Sequence, residues 1–301
     1  MLKPGLPYYD DPEGSKVPNG FDHVIDSHVH VFPGKIFDAI WNWFDHHAWK
    51  IRYKISTTDI FTHLLDRGVS HVIALQYAHK PGIAELLNHY MAFKINECKG
   101  QVSGMATVFP SEPDADLILK KGFDLGLTGV KLHAHVQCFD MLAPYMEPIY
   151  QICSDDKKPM IMHVGREPKS EEYKCDPYMI CSAGMLESVI KNFPDLHVCV
   201  PHLGFDEVNQ YRLLIEKYDN LWTDTTMVIT DYFPMKETID LSKYRLDRVM
   251  YGSDFPNIPY EWDRELKVLG QSNLNKEQLD QILYKTAIGF FHLTDEQICS
   301  R

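Results

Sequence analysis

The chain alternates short apolar runs with longer segments of helical periodicity. Apolar runs of four to eight residues are typical of buried parallel strands, whereas apolar positions three and four residues apart are typical of helices. The predicted strands are residues 24–28, 69–76, 102–109, 129–133, 159–163, 196–202, 221–224 and 248–254. The predicted helices are residues 57–68, 83–98, 114–125, 144–154, 183–192, 206–218 and 276–293, and residues 231–241 are predicted to be partly helical.

Eight strand-helix units in this order predict parallel strands joined by helical crossovers. We therefore predict an α/β fold, a (β/α)8 TIM barrel in a single domain. No G-x-G-x-x-G or Walker-type loop occurs, which argues against a nucleotide-binding fold. Residues 1–20 are rich in proline, glycine and aspartate and are predicted to be an irregular lead-in, so the barrel domain is expected to span residues 21–301.

An aromatic-rich stretch follows the first predicted strand, at residues 32–53. Ile36, Ile40, Trp43 and Phe44 recur at helical spacing, which predicts a helix packed into the core. The same rings could instead line a substrate pocket, or form an interface that would make the protein a homodimer.

Composition restricts the classes of partner. The chain has 30 Lys and Arg against 42 Asp and Glu, a net charge of −12, and no basic run, which argues against nucleic-acid binding. No segment approaches the ~20 apolar residues of a membrane helix, and residues 1–20 lack the apolar core of a signal peptide. The seven cysteines include no C-x-x-C pair, so neither a disulfide framework nor a thiolate zinc site is expected. These features predict a cytoplasmic protein that acts on a small molecule.

Several predicted strands end in residues that can bind a metal ion. His28 and His30 are two positions apart after the first apolar run, so their side chains point to the same side of an extended backbone. Two neutral imidazoles in this arrangement can bind a divalent cation. The later strand ends contribute Lys131 and His133 (fourth), His163 (fifth), His202 (sixth) and Asp254 (eighth). Because the carboxyl ends of barrel strands form the active face, we expect these side chains to converge on a metal.

As a set, these motifs resemble those of the amidohydrolase superfamily. They are Ile25-Asp26-Ser27-His28-Val29-His30, His163-Val164-Gly165, Pro201-His202-Leu203-Gly204 and Gly252-Ser253-Asp254-Phe255-Pro256. The sequences of these motifs are most similar to those of the amidohydrolase-related (amidohydrolase 2) branch. This branch contains metal-dependent TIM-barrel hydrolases, lactonases and decarboxylases. The resemblance covers about residues 24–256.

The resemblance implies a ligand set and two catalytic groups. His28, His30, His163 and Asp254 would hold a divalent metal ion, zinc or alternatively manganese, with one ion favoured over two. Asp254 would also be catalytic, accepting the proton of a metal-activated water. His202 would be the second catalytic group, orienting or protonating the carbonyl oxygen of the substrate.

Lys131 leaves the number of metal ions open. In binuclear members of the superfamily a carboxylated lysine on the fourth strand bridges two ions, and Lys131 and His202 would then serve a second ion. The alternative is that Lys131 pairs with a nearby carboxylate.

The remaining candidates are substrate-binding or supporting residues. Arg166, on the loop after the fifth strand, could bind a substrate carboxylate or pair with Glu167 or another loop acid. His133 and Tyr178 are the other predicted substrate contacts. Asp224, at the end of the seventh strand, either has a structural hydrogen-bonding role or supports a metal ligand.

The sequence therefore predicts a metal-dependent hydrolase that acts with metal-activated water on an amide, ester or lactone bond of a small molecule. The alternative activity is metal-dependent, non-oxidative decarboxylation of an aromatic or unsaturated carboxylic acid. A barrel that only binds a ligand is a third interpretation, which the complete ligand set argues against.

Overall fold

The computed structural model describes residues 8–98, 100–170, 172–233 and 235–299. Strands and helices alternate along the chain in the predicted order. The strands within these ranges are β1 Ile25–His30, β2 His71–Leu75, β3 Val102–Gly104, β4 Val130–His133, β5 Met160–His163, β6 Val198–Val200, β7 Leu221–Asp224 and β8 Val249–Met250. The α-helices are α1 Gly34–His47, α2 Thr57–Asp66, α3 Ala84–Ile95, α4 Ala115–Asp124, α5 Ala134–Gln137, α6 Glu147–Asp155, α7 Pro177–Ile180, α8 Ala183–Asn192, α9 Val208–Lys217, α10 Arg264–Gly270, α11 Lys276–Asp280, α12 Thr286–Phe291 and α13 Asp295–Cys299.

The chain forms two compact units, each assembled from separate stretches. The first unit contains the described residues of Met1–Ala74, Lys94–Ser103 and Asp224–Arg301, and the second contains those of Leu75–Phe93 and Gly104–Thr223. Among the described residues, no helix is long and apolar enough to cross a membrane.

The first unit is organised around β1, which is buried along its whole length. On one side the strand order is β1-β2-β3. On the other side lies the segment that follows β8. The Ser27 N–H donates to the Tyr251 carbonyl (3.1 Å), and the Asp254 N–H donates to the His28 carbonyl (2.9 Å). This pairing brings the end of β1 and the residues after β8 together.

The second unit is organised around the parallel strands β4, β5, β6 and β7, which pair in chain order. The register places Val130 beside Met160, and His133 beside His163. The four strands are almost entirely buried, as expected for parallel strands covered on both faces. The histidines that end β4 and β5 are therefore neighbours.

Four strands end earlier than the apolar pattern predicts, namely β2, β3, β6 and β8, and β3 stops at Gly104 where the prediction extended to residue 109. β6 stops at Val200 because Pro201 has no N–H to donate, and the next four residues, from His202, adopt left-handed or related positive φ values. β8 covers only Val249–Met250, and Asp254 has a φ of +66° in the turn beyond it. Both candidate catalytic residues thus lie on turns.

Other elements also differ from prediction. β1 extends to His30, so both of its histidines belong to the strand. No α-helix forms among the described residues of the 231–241 segment, where partial helix was predicted. The helix predicted in the aromatic stretch is present as α1, and its buried positions are Phe37 and Trp41.

Candidate metal centre

Two imidazoles and one carboxylate meet in the first unit. His28 Nε2 lies 3.2 Å from His30 Nε2. Asp254 Oδ1 lies 3.3 Å from His28 Nε2 and 3.1 Å from His30 Nε2. All three residues are buried. The three atoms therefore form a nearly equilateral triangle inside the protein.

The triangle has the dimensions of a metal-binding site. A tetrahedral ion with bonds of about 2.0 Å has ligand atoms about 3.3 Å apart, close to the sides observed here. Two imidazole nitrogens and a carboxylate oxygen suit zinc and manganese alike. The donor set therefore fits a divalent cation, and the distances do not choose between these two metals.

Asp224 orients the first of the two histidines. Its Oδ2 lies 2.9 Å from His28 Nδ1, and its Oδ1 accepts the Thr226 N–H at 3.2 Å. A carboxylate on one ring nitrogen keeps the proton there and leaves the other nitrogen as a metal ligand. Asp224 thus makes both contacts that the sequence left as alternatives, one to a loop and one to a candidate ligand.

Asp26 connects β1 to the segment that carries Asp254. It accepts hydrogen bonds from Ser253 Oγ (2.5 Å), the Ser253 N–H (3.1 Å) and the His28 N–H (3.2 Å). Burial raises the pKa of Asp26 to about 7, and these hydrogen bonds oppose that rise. The carboxyl group holds the two ligand-bearing segments in register.

Gly252 permits the close approach of these segments. A Cβ at this position would lie 2.8 Å from His28 Cβ and would also collide with the Thr226 hydroxyl. Asp254, two residues later, has a left-handed φ that non-glycine residues seldom adopt. Such conformations persist where surrounding contacts enforce them, and they cluster at functional sites.

A second group of histidines lies in the second unit. His133 and His163 stack with ring centroids 4.0 Å apart, and His135 lies edge-on to both. One ligand atom from each of the three lies within 4.8 Å of the others. The His202 ring lies 4.7 Å from that of His163.

Glu167 joins two of these histidines. Its carboxylate oxygens lie 3.1 Å from His135 Nε2 and 3.1 Å from His163 Nε2. The Tyr173 hydroxyl donates to Glu167 at 3.2 Å. Burial lowers the pKa of His135 to about 4, against the opposing effect of the Glu167 charge.

The predicted metal ligands fall into these two groups. The structure brings His28, His30 and Asp254 together in the first unit, and it groups His163 with His133 in the second. That His163 binds the same ion as His28 stays a prediction.

Lys131 is fully buried in β4. Its backbone N–H donates to the Ala106 carbonyl at 2.8 Å. The second-ion role of Lys131 and His202 stays a prediction.

The predicted substrate contacts Arg166 and Tyr178 interact with each other. Arg166 Nε donates to the Tyr178 carbonyl (3.1 Å), and its guanidinium lies 3.9 Å from a Glu207 carboxylate oxygen. The Tyr178 hydroxyl donates to Asp206. The acid that pairs with Arg166 is therefore Glu207, at the end of the 3-10 helical segment after β6, whereas Glu167 contacts His135 and His163. Substrate binding by Arg166, Tyr178 and His133 stays a prediction.

Sequence reasoning missed His135 and the contacts of Glu167. His135 follows His133 at the same two-residue spacing as His28 and His30, so the spacing could have indicated it. Glu167 had no such signal, because its partners are set by the course of the loop after β5.

Solved structures resemble the chain over almost its full length. The 5-carboxyvanillate decarboxylase from Novosphingobium aromaticivorans, complexed with manganese and 4-hydroxy-3-methoxy-5-nitrobenzoic acid, is 14% identical with a TM-score of 0.65, covering 94% of this chain and 100% of that one. The 2,6-dihydroxybenzoate decarboxylase from Rhizobium is 13% identical with a TM-score of 0.63, covering 90% and 99%. An uncharacterized TIM-barrel protein from Bordetella bronchiseptica is 16% identical with a TM-score of 0.63, covering 90% and 98%.

At these identities the likeness establishes the fold, a TIM barrel, as the order of strands and helices predicted. No curated protein matches the chain significantly. The family profile described as Amidohydrolase (Amidohydro_2) matches residues 25–293. Since that match covers most of the sequence, including the strand-end motifs that predicted it, the chain belongs to the amidohydrolase family.

Proposed function

We propose that this chain is a metal-dependent, non-oxidative decarboxylase of an aromatic or unsaturated carboxylic acid. The observation that carries the proposal is the buried triangle of His28 Nε2, His30 Nε2 and Asp254 Oδ1, whose sides match the ligand spacing of a divalent cation. Hydrolysis of an amide, ester or lactone bond is the second candidate, and the description of the family as amidohydrolases favours it.

Similar solved structures support decarboxylation over the hydrolysis that the sequence first suggested. Two of them are decarboxylases of hydroxylated aromatic acids, and one of these contains manganese together with a nitrobenzoic acid. We therefore expect manganese to be at least as good a cofactor as zinc for this chain.

The residues of the triangle have two tasks in the proposed reaction, metal binding and proton transfer. A divalent ion held here would polarise an oxygen atom of the substrate. His28 and His30 supply neutral nitrogens, and the charge of Asp224 keeps the proton of His28 on Nδ1. Loss of carbon dioxide leaves an electron pair on carbon, which must be protonated. Asp254 would bind the ion through Oδ1, and its other carboxylate oxygen would take a proton from solvent and deliver it to this carbon.

Three aromatic rings near the Asp254 turn, those of Trp49, Tyr232 and Phe233, support the proposal that the substrate is flat. The rings of Trp49 and Phe233 pack 5.4 Å apart, and Tyr232 packs edge-on to both. Trp49 Nε1 donates to the Asn257 carbonyl at 2.8 Å, three residues after Asp254. The three rings are only half-buried, so they can offer a surface on which an aromatic or unsaturated acid stacks.

The other predicted roles are kept as parts of this proposal. They are metal binding by His163, a second-ion role for Lys131, catalysis by His202, and substrate contacts by Arg166, His133 and Tyr178. A cytoplasmic location and a homodimer likewise stay predictions.

Product analysis distinguishes the two chemistries. The protein is loaded with manganese or zinc and incubated in deuterated water with a panel of hydroxylated and unsaturated carboxylic acids, and in parallel with amides, esters and lactones. Decarboxylation predicts one carbon dioxide per product molecule and one deuterium on the carbon that lost the carboxyl group. A new acid with an amine or alcohol would instead establish hydrolysis.

A matched pair of variants ties the activity to the triangle. His28→Ala should abolish turnover while retaining the circular dichroism of the folded protein. His46→Ala, at an exposed position, should retain turnover. Turnover that survives both a strong chelator and His28→Ala would refute metal-dependent catalysis at this site.

A further inference from the structure

Two cysteines that the candidate metal centre does not use lie side by side in the second unit. Cys138 Sγ lies 2.9 Å from Cys175 Sγ. Both are free thiols, Cys138 exposed and Cys175 half-buried. A disulfide has an S–S distance of about 2.05 Å, so the two sulfur atoms need to approach by less than ~1 Å to bond.

The pair connects two segments that are distant in sequence. Cys138 follows α5 directly, with a left-handed φ of +52°. Cys175 lies 37 residues later, on the loop between β5 and α7. Both thiols reach the same backbone oxygen, that of His135, at 3.4 Å and 3.1 Å. The backbone carbonyl of His135 therefore accepts a hydrogen bond from each thiol and holds the two sulfur atoms near each other.

The loop that carries Cys175 also carries two residues that contact the second histidine group. Glu167 lies 3.1 Å from His163 Nε2 and 3.1 Å from His135 Nε2. The Tyr173 ring lies 4.6 Å from that of His135. A covalent bond at Cys175 would therefore restrict the motion of a loop whose polar side chains contact the second group of histidines.

We propose that Cys138 and Cys175 form a reversible disulfide bond, which ties the loop between β5 and α7 to the C-terminal end of α5. The proposal does not rest on the proposed function, because it requires only the two thiols and a disulfide oxidant such as oxidised glutathione.

The reaction proceeds by two thiol–disulfide exchanges. The thiolate of the exposed Cys138 attacks one sulfur of oxidised glutathione, and one glutathione thiolate leaves. Cys175 then loses its proton to solvent and attacks the Cys138 sulfur of the mixed disulfide, which releases the second glutathione. Two protein thiols are oxidised to one disulfide, and one glutathione disulfide is reduced to two thiols. Burial raises the pKa of Cys175 to about 12, which agrees with Cys138 reacting first.

Peptide mapping of the full chain tests the bond directly. Reduced protein is equilibrated in glutathione buffers of graded ratio, quenched with acid, alkylated and digested. A protease that cuts after acidic residues cleaves after Asp140, and mild acid cleaves the Asp176–Pro177 bond, which such a protease leaves intact. Together the two cleavages separate each of the two cysteines from the buried cysteine that follows it. We expect one cross-linked peptide pair that joins Cys138 to Cys175. The number of free thiols should fall from seven to five, and dithiothreitol should reverse the change.

Single-cysteine variants test the order of the steps. Cys175→Ser should accumulate glutathione on Cys138, because the resolving thiol is missing. Cys138→Ser should leave Cys175 reduced over the same range of buffers. Cys98→Ser removes a half-buried thiol that donates to the Lys94 carbonyl, and it should retain the cross-link.

The wild-type digest decides the proposal even if the serine variants fold poorly. Glutathione that persists on Cys138 while Cys175 stays alkylatable would overturn it, as would a cross-link to any other cysteine. The oxidised form should also show slower amide exchange in the described residues of the 165–176 loop. Equal exchange rates in the oxidised and reduced forms would refute the tie between the loop and α5.

Discussion

At the scale of single residues, the metal centre depends on which nitrogen of His28 carries the proton. Asp224 Oδ2 lies 2.9 Å from Nδ1, which leaves Nε2 facing His30 and Asp254. The two-residue spacing of the histidines predicted that their side chains lie together, as the distance of 3.2 Å between His28 Nε2 and His30 Nε2 confirms. The sequence left Asp224 open between a structural hydrogen bond and the support of a metal ligand, and it did not identify His28 as the partner, because their contact joins residues 196 positions apart.

Replacing Asp224 by asparagine should weaken metal binding without disturbing the fold. Asp224→Asn retains the shape of the side chain and an oxygen for the Thr226 N–H, but it removes the charge that holds the His28 proton on Nδ1. We expect a loss of metal affinity of about 10- to 100-fold, measured by competition with a chromogenic chelator. Asp240→Asn, at a carboxylate that pairs with Lys243, is the control. Equal affinities in the two variants would contradict the orienting role.

At the scale of elements, the apolar pattern locates strands and helices better than the turns between them. α8 occupies its predicted range, Ala183–Asn192, and Ser182 caps it by accepting the Met185 N–H at 3.3 Å. The turn after β6 was not predictable, because His202, Leu203 and Phe205 have positive φ values that non-glycine residues seldom adopt. The sequence thus predicted His202 at a strand end, whereas it lies on a left-handed turn.

Gly204 is required by that turn. Its φ is +79°, and a Cβ would collide with the ring of the fully buried Tyr211. Gly204→Ala should therefore lower the free energy of unfolding by about 2–4 kcal/mol, through backbone strain and overpacking together. Urea denaturation monitored by circular dichroism measures this change.

Gly184→Ala is the matched control for that substitution. Gly184 lies near the start of α8, and a Cβ there would meet no atom within 4 Å. Alanine should be neutral or should stabilise the helix by up to ~1 kcal/mol. If the free energy of unfolding fell by similar amounts in both variants, the contact with Tyr211 would not explain the destabilisation by Gly204→Ala.

At the scale of the whole molecule, buried imidazoles make stability depend on pH. His71 is fully buried, and its Nε2 lies 2.9 Å from Ser103 Oγ. Burial lowers the pKa of His71 from 6.5 to about 4. The unfolded chain therefore binds the proton first. The stability from the neutral imidazole is fully present above the unfolded pKa and is lost as pH falls toward the folded pKa.

The free energy of unfolding should therefore fall on acidification. We expect His71 alone to account for a loss of about 2 kcal/mol between pH 7 and pH 5. In His71→Gln this part of the loss should disappear, whereas His46→Gln, at an exposed position, should retain it. Urea titrations at the two pH values measure the difference. An unchanged pH dependence in His71→Gln would contradict the assignment.

The overall fold and the family could be predicted from the sequence, whereas several contacts of the sites could not. The TIM barrel was predictable because each strand-helix unit has a local apolar pattern. Membership of the amidohydrolase family was predictable because its ligand motifs lie in short segments such as that from Ile25 to His30. The partners of Glu167, and the contact of Cys138 with Cys175, were not predictable, because loop conformation brings them together.

The central claim is that His28, His30 and Asp254 bind one divalent cation through the observed triangle. The most direct test is an anomalous difference map from crystals grown with manganese, recorded where its anomalous signal is strong. We predict a peak about 2.0–2.2 Å from His28 Nε2, His30 Nε2 and Asp254 Oδ1. No peak at the triangle, with manganese bound only at the histidines of the second unit or nowhere in the protein, would contradict the account.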